Sequence, residues 1–126
     1  MMSLEQQISI SVDSFYLGAQ SDPAAQRYVF AYCVNITNNS AEQVQLLRRY
    51  WQITDGNGKQ TEVRGDGVIG VQPQLQPGET YSYTSGAVLE TPLGSMQGYY
   101  EMIDQAQQPF QTAIPMFRLA MPNILN

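Results

Sequence analysis

Arg64-Gly65-Asp66-Gly67-Val68-Ile69-Gly70-Val71-Gln72-Pro73-Gln74-Leu75-Gln76-Pro77-Gly78-Glu79 carries the spacing Gly-x-Gly-x-x-Gly at Gly65, Gly67 and Gly70. In a dinucleotide-binding turn that spacing opens a helix, whose first N–H groups and dipole hold a pyrophosphate. Here Pro73 and Pro77 follow within a few residues. Each removes a helix donor and clashes with the preceding turn. The spacing is present without the helix that gives it meaning, so an α/β reading fails at its strongest point.

Outward from this stretch the chain alternates with period two. Ile8, Ile10 and Val12 interleave with Ser9, Ser11 and Asp13, the pattern of a strand with one buried face. Phe15 to Leu17 continue it, either in phase or with a change of phase. Tyr28, Phe30, Tyr32, Val34 and Ile36 form the strongest alternating run, and Asn38-Asn39-Ser40 ends it as a turn. From Val44 to Thr54 the apolar parity switches at Leu46-Leu47. One extra residue exchanges the two faces of a strand, so a β-bulge is expected there, with Trp51 in the core. Asp55-Gly56-Asn57-Gly58 reads as a hairpin turn and Gln60 to Arg64 as the return strand. Further strands are expected from Glu79 through Leu89, from Met96 to Ile103 and from Phe110 to Met121. Pro115 in the last marks an edge or a bulge.

Seven to eight short strands at near-regular spacing, with no helical periodicity, predict an all-β single domain over residues 1–126. The expected architecture is an immunoglobulin- or fibronectin type III-like antiparallel β-sandwich.

Composition narrows the chemistry. Only 13% of the 126 residues are charged, against about 25% in typical proteins. The net charge is −5 and the six basic residues are scattered, so nucleic acid, which needs clustered cations, is not an expected partner. The chain has no histidine and one cysteine, Cys33. Imidazole-based triads and the usual zinc ligand sets are therefore excluded, and no enzyme activity or cofactor is expected. Cys33 reads as a buried small hydrophobe. A carboxylate such as Glu101 reads as facing solvent or held by a partner such as Arg49. The first residues lack a basic, then apolar, leader pattern, and no apolar run approaches spanning length. The expectation is a cytoplasmic protein with no membrane association.

Two binding readings stand side by side. Arg64, Gly65, Gly67 and Gly70 could turn backbone N–H groups toward pyrophosphate or a nucleotide without any helix, or the glycines could form a tight corner that needs positive φ. The tyrosines could be core and cross-strand partners, or an aromatic patch that docks a protein.

The motifs Val63-Arg64-Gly65-Asp66-Gly67-Val68-Ile69-Gly70-Val71-Gln72-Pro73, Leu75-x-Pro77-Gly78 with Tyr81-x-Tyr83-x-Ser85-Gly86, Met96-x-Gly98-x-Tyr100 and Ile114-Pro115-x-Phe117-x-Leu119 resemble the bacterial ApaG family. So do Arg27-Tyr28-x-Phe30-x-Tyr32 and Arg48-Arg49-x-Trp51-x-Ile53-Thr54-Asp55. Val71 departs from the family, which commonly carries Glu there. The resemblance implies a fibronectin-like sandwich without an established activity, a genetic link to cobalt resistance and magnesium efflux, and a suggested phosphate site at Gly65, Gly67 and Gly70. Related eukaryotic domains look like protein-interaction modules. The expected function is accordingly a non-catalytic binding module for a protein partner, a homodimer included. The alternative is a phosphate, nucleotide or divalent-ion sensor at the Gly65–Gly70 loop.

Overall fold

A computed structural model describes residues 2–123. Eight strands account for the fold: β1 (Ile8–Tyr16), β2 (Tyr28–Asn38), β3 (Val44–Asp55), β4 (Gln60–Asp66), β5 (Gln74–Leu75), β6 (Thr80–Leu89), β7 (Leu93–Asp104) and β8 (Pro109–Ala120). The only helical pieces among the described residues are three-residue 3₁₀ turns at Glu5–Gln7, Gly18–Gln20 and Pro23–Ala25. One antiparallel sheet has the order β1-β2-β6; the other runs β4-β3-β7-β8, with β5 paired to β3. Two such sheets packed face to face make the all-β sandwich.

The alternation read from sequence sets which face is buried. Phe30, Tyr32, Val34 and Ile36 of β2 are buried, while Ala31, Cys33, Asn35 and Thr37 lie half-covered on the outer face. Cys33 is thus on the outside rather than in the core, because Tyr32 and Val34 take the inward parity. β1 keeps its phase to the end: Phe15 is exposed and Tyr16 turns in against Phe30. Of the two continuations open in the sequence, the strand takes the one without a change of phase.

Trp51 organises the core. Its ring meets Tyr32 at 5.4 Å, Phe117 at 5.8 Å and Tyr100 at 6.4 Å, all edge-on. Edge-to-face pairs contribute about 0.5–1.5 kcal/mol each beyond simple burial. The β3–β7 register shifts between Leu46 and Arg48, which makes Leu47 the extra residue of the expected bulge. Pro115 is both things its chemistry allows: β8 is an edge strand, and the β7–β8 register shifts between Met96 and Gly98 opposite it.

The hairpin after β3 closes on Asp55, whose Oδ1 accepts from the N–H groups of Asn57 and Lys59. Gly58 takes the positive φ of 85°. Asn38 is fully buried where β2 ends. Its Nδ2 donates to the Glu42 and Leu75 carbonyls, and its Oδ1 accepts from the N–H and hydroxyl of Ser40. One amide thereby ties the β2–β3 turn to β5.

Candidate functional site: a cleft between the sheets beside the glycine hairpin

On one side the sandwich is drawn shut, since Ser14 Oγ of β1 donates to the Arg118 carbonyl of β8. On the other side, between β6 and β4, a cleft of about 200 Å³ opens. Tyr32, Tyr83 and Ser85 line it from one sheet and Arg49, Trp51 and Val68 from the other, with Ile69 and Gly70 at its mouth.

The glycine motif builds the wall of this cleft. Gly65 is a strand residue, since β4 runs two residues beyond Arg64 and pairs Gly65 with Arg49 and Asp66 with Arg48. Gly67 has φ +62°, and its N–H donates to the Leu47 carbonyl at 2.8 Å. Val68 and Val71 then exchange both backbone bonds, at 2.8 and 3.0 Å, across Ile69 (φ 48°) and Gly70 (φ 73°). Two positive φ values inside a two-residue loop define a type I′ hairpin. Val68 is thereby pressed fully into the core, while Ile69 is left 61% exposed. Glycine supplies close approach as well as φ at Gly67, where a Cβ would fall on the Val71 carbonyl.

The four residues named from sequence are only partly brought together. Gly67 and Gly70 share the hairpin. Gly65 contributes an empty space, because a Cβ there would sit 2.8 Å from the Arg49 Nη atoms. Arg64 is on the opposite face of the sheet, 4.4 Å above the Tyr50 ring and 3.2 Å from Glu62 Oε2. The N–H of Gly67 is spent on Leu47 and cannot turn toward a phosphate.

Arg49 is the cation that does reach the cleft, and the bulge puts it there. With Leu47 as the extra residue, Arg48 faces outward and pairs with Glu101 at 2.7 Å, while Arg49 takes the inward parity of Trp51. Glu101 is therefore held by Arg48, and not by Arg49. Bulges recur where a strand must re-aim a side chain. Arg49 Nη1 donates to the carbonyls of Asp66 (3.0 Å) and Gly67 (2.8 Å), which braces the hairpin. Among the described residues no carboxylate lies within ion-pair distance of it.

The remaining polar lining groups are the Asp66 carboxylate, the hydroxyls of Tyr32, Tyr83 and Ser85, and the Trp51 indole. The hydroxyls of Tyr83 and Tyr100 hydrogen-bond each other. Burial pushes both phenols far above the ordinary tyrosine range; their contact lowers Tyr83 and raises Tyr100 further. Burial also raises Tyr32, with the Ser85 hydrogen bond and the charge of Arg49 pulling it part of the way back. Trp51 is 2% exposed, and its Nε1–H is buried without an acceptor. Such an orphan donor costs about 1–3 kcal/mol. Larger surface hollows lie beside Leu47 and beside Gly98, but the charged pair in the first, Arg48 and Glu101, already satisfies itself. Sequence reading missed Arg49 as a site residue. The signal was available: carrying the bulge's parity switch two residues further turns Arg49 inward.

The geometry defines the class: a two-sheet β-sandwich domain with a donor-rich cleft at one open edge, walled by a glycine hairpin. Residues 18–104 match the ApaG domain family. The chain is 59% identical over 119 residues to Protein ApaG of Escherichia coli O1:K1, covering 94% of this chain and 95% of that one; Protein ApaG of Shigella boydii serotype 18 gives the same figures. It superposes on the crystal structure of the ApaA protein from Bordetella pertussis with a TM-score of 0.90 at 49% identity, covering 92% and 94% of the two chains. A structural-genomics X-ray structure matches with a TM-score of 0.93 at 41% identity, over 98% and 94%. The chain belongs to the ApaG family.

Proposed function

We propose that the domain is a non-catalytic binding module that docks another protein over the Val68–Val71 hairpin. One observation carries this reading. Ile69, a β-branched residue, stands in the left-handed region at the exposed tip of a type I′ turn, where asparagine or glycine is the low-strain choice. Strain held at an exposed apolar residue points to a use for that residue. Val71, 45% exposed, extends the apolar tip. A second copy of the chain is the weaker candidate partner, because each copy carries a net charge of −5 and like charge opposes self-association.

The metal link implied by the family would then run through the partner. Among the described residues no three His, Cys, Asp or Glu side chains group closely enough to hold an ion.

The test places a photoreactive residue at position 69 and, as control, at Asp13 on the exposed outer face of β1. The expected result is a discrete adduct with a different protein from position 69 and none from position 13. Equal labelling from both positions overturns the reading. An adduct of twice the chain mass replaces the partner by a second copy.

A further inference from the structure

We infer that the inter-sheet cleft is a carboxylate-binding site, with Arg49 as its donor and the partner's acidic group as its occupant. This deepens the docking reading and rests on it for the source of the ligand, but it stands on different residues.

Four observations lead there. First, Arg49 lines the cleft with Nη1 committed to two backbone carbonyls, and no carboxylate of the described chain lies within 4.0 Å of its guanidinium nitrogens. An arginine fork presents five donors in one plane and suits a carboxylate or phosphate edge. Second, Trp51 lines the cleft beside Arg49, and its Nε1–H, closed off from solvent and without an acceptor, makes the indole a sensitive reporter of changes there. Third, Tyr32, Tyr83 and Ser85 bring hydroxyls to the same walls. With Arg49 as the donor that holds no carboxylate of the described chain, an acceptor-bearing ligand fits this set.

Fourth, size and charge separate the anions. About 200 Å³ is below the roughly 300–1,000 Å³ of small-molecule sites, so a nucleotide does not enter, while a carboxylate on a short stem does. The one basic residue lining the cleft is Arg49, and Asp66 stands on the same wall. A singly charged carboxylate is better matched to that balance than a doubly charged phosphate, which the Asp66 carboxylate repels more strongly.

Gly65 belongs to the same design. Its missing side chain leaves the space in which the Arg49 guanidinium lies, 2.8 Å from where a Cβ would be. Gly65 is thus a positioning residue that acts through Arg49.

Trp51 is the only tryptophan, so its indole N–H gives a single resonance in an amide correlation spectrum of the full chain. The probes are sodium propionate, inorganic phosphate, and sodium chloride at matched ionic strength. The expected result is a saturable shift of the indole resonance with propionate, half-complete at millimolar concentration, and none with chloride. Gly65→Ala and Arg49→Gln should each raise the half-saturation concentration at least tenfold. Gly65→Ala shifts the guanidinium by crowding instead of removing it, and an otherwise unchanged backbone amide spectrum identifies whichever variant is folded and therefore tests the site. No saturable shift with propionate overturns the inference, as does an undiminished response in both variants. A response to phosphate alone overturns the choice of carboxylate. A propionate response with no adduct from position 69 would keep the anion site and remove the docking reading; the converse pair of results would do the opposite.

Discussion

Replacing Ile69 by asparagine is expected to stabilise the domain slightly, although it removes an apolar side chain. Two terms oppose each other. A side chain in the left-handed region costs about 1–2 kcal/mol, and asparagine relieves much of this because it tolerates that region. Against it stands lost burial. Ile69 is 61% exposed, so under four-tenths of it is covered, and full burial of an isoleucine contributes about 1.5–3 kcal/mol. The loss is therefore roughly 0.6–1.2 kcal/mol, and the net gain on the order of 0.5 kcal/mol. Ile69→Ala isolates the strain. It gives up the same contacts but keeps a Cβ in the left-handed turn, so it should destabilise by roughly 0.5–1 kcal/mol. The decisive quantity is the Asn–Ala gap, at least about 1 kcal/mol, read from urea midpoints at constant m or as a difference in Tm of a few degrees. Equal stability of the two variants would refute the claim that the hairpin stores strain at Ile69. If the docking reading holds, the more stable asparagine variant also loses its partner, a trade of stability against function.

Other outcomes follow from single contacts. Gly98→Ala should cost about 3 kcal/mol or more, or prevent soluble expression, because the new Cβ falls on the Tyr50 carbonyl of the central strand pair. Asn38→Ala should cost about 1–3 kcal/mol in denaturant unfolding, since it removes the donor to the buried Leu75 carbonyl and the acceptor of the Ser40 N–H, while the Glu42 carbonyl keeps the Ser40 hydroxyl. Tyr83 and Tyr100 have folded-state pKa values raised above the unfolded value of 10.0, so their stabilising effect is complete below pH 10 and is lost as pH rises. Each pH unit above 10 should remove about 3 kcal/mol for the pair, and tyrosinate absorbance should rise together with loss of β-sheet circular dichroism. Ionisation of all tyrosines while the sheet signal persists would contradict the buried pair. Glu101→Gln should change stability by less than about 1 kcal/mol, as its bond to Arg48 is an exposed ion pair.

The strands, the Leu47 bulge, Trp51 in the core and the two-sided meaning of Pro115 were legible because each is a local matter of alternation or of a missing N–H. The site was less so. Gly65, Gly67 and Gly70 look equivalent on the page, yet one is a strand residue making room for a guanidinium, one docks on Leu47, and one turns a hairpin. Those roles depend on which strand lies alongside, and cross-strand register is not written in either strand alone. The Tyr83–Tyr100 bond joins opposite sheets, so no spacing within a segment announces it. For Glu101 the sequence leaves solvent and a partner such as Arg49 side by side, since nothing local distinguishes the two adjacent arginines. The parity inversion at Leu47 decides between them.

That inversion makes the register of β3 a matter of arithmetic. Removing Leu47, or adding one residue between Leu46 and Arg48, would exchange the occupants of the two sides for the upstream half of the strand relative to the downstream half. The ring that fills the middle of the molecule and the cation beside it would be competing for solvent with the paired charge outside. Length changes should therefore be tolerated at the Gly56–Gly58 tip and disruptive here, where a single superfluous backbone unit sets the phase of everything downstream in the strand.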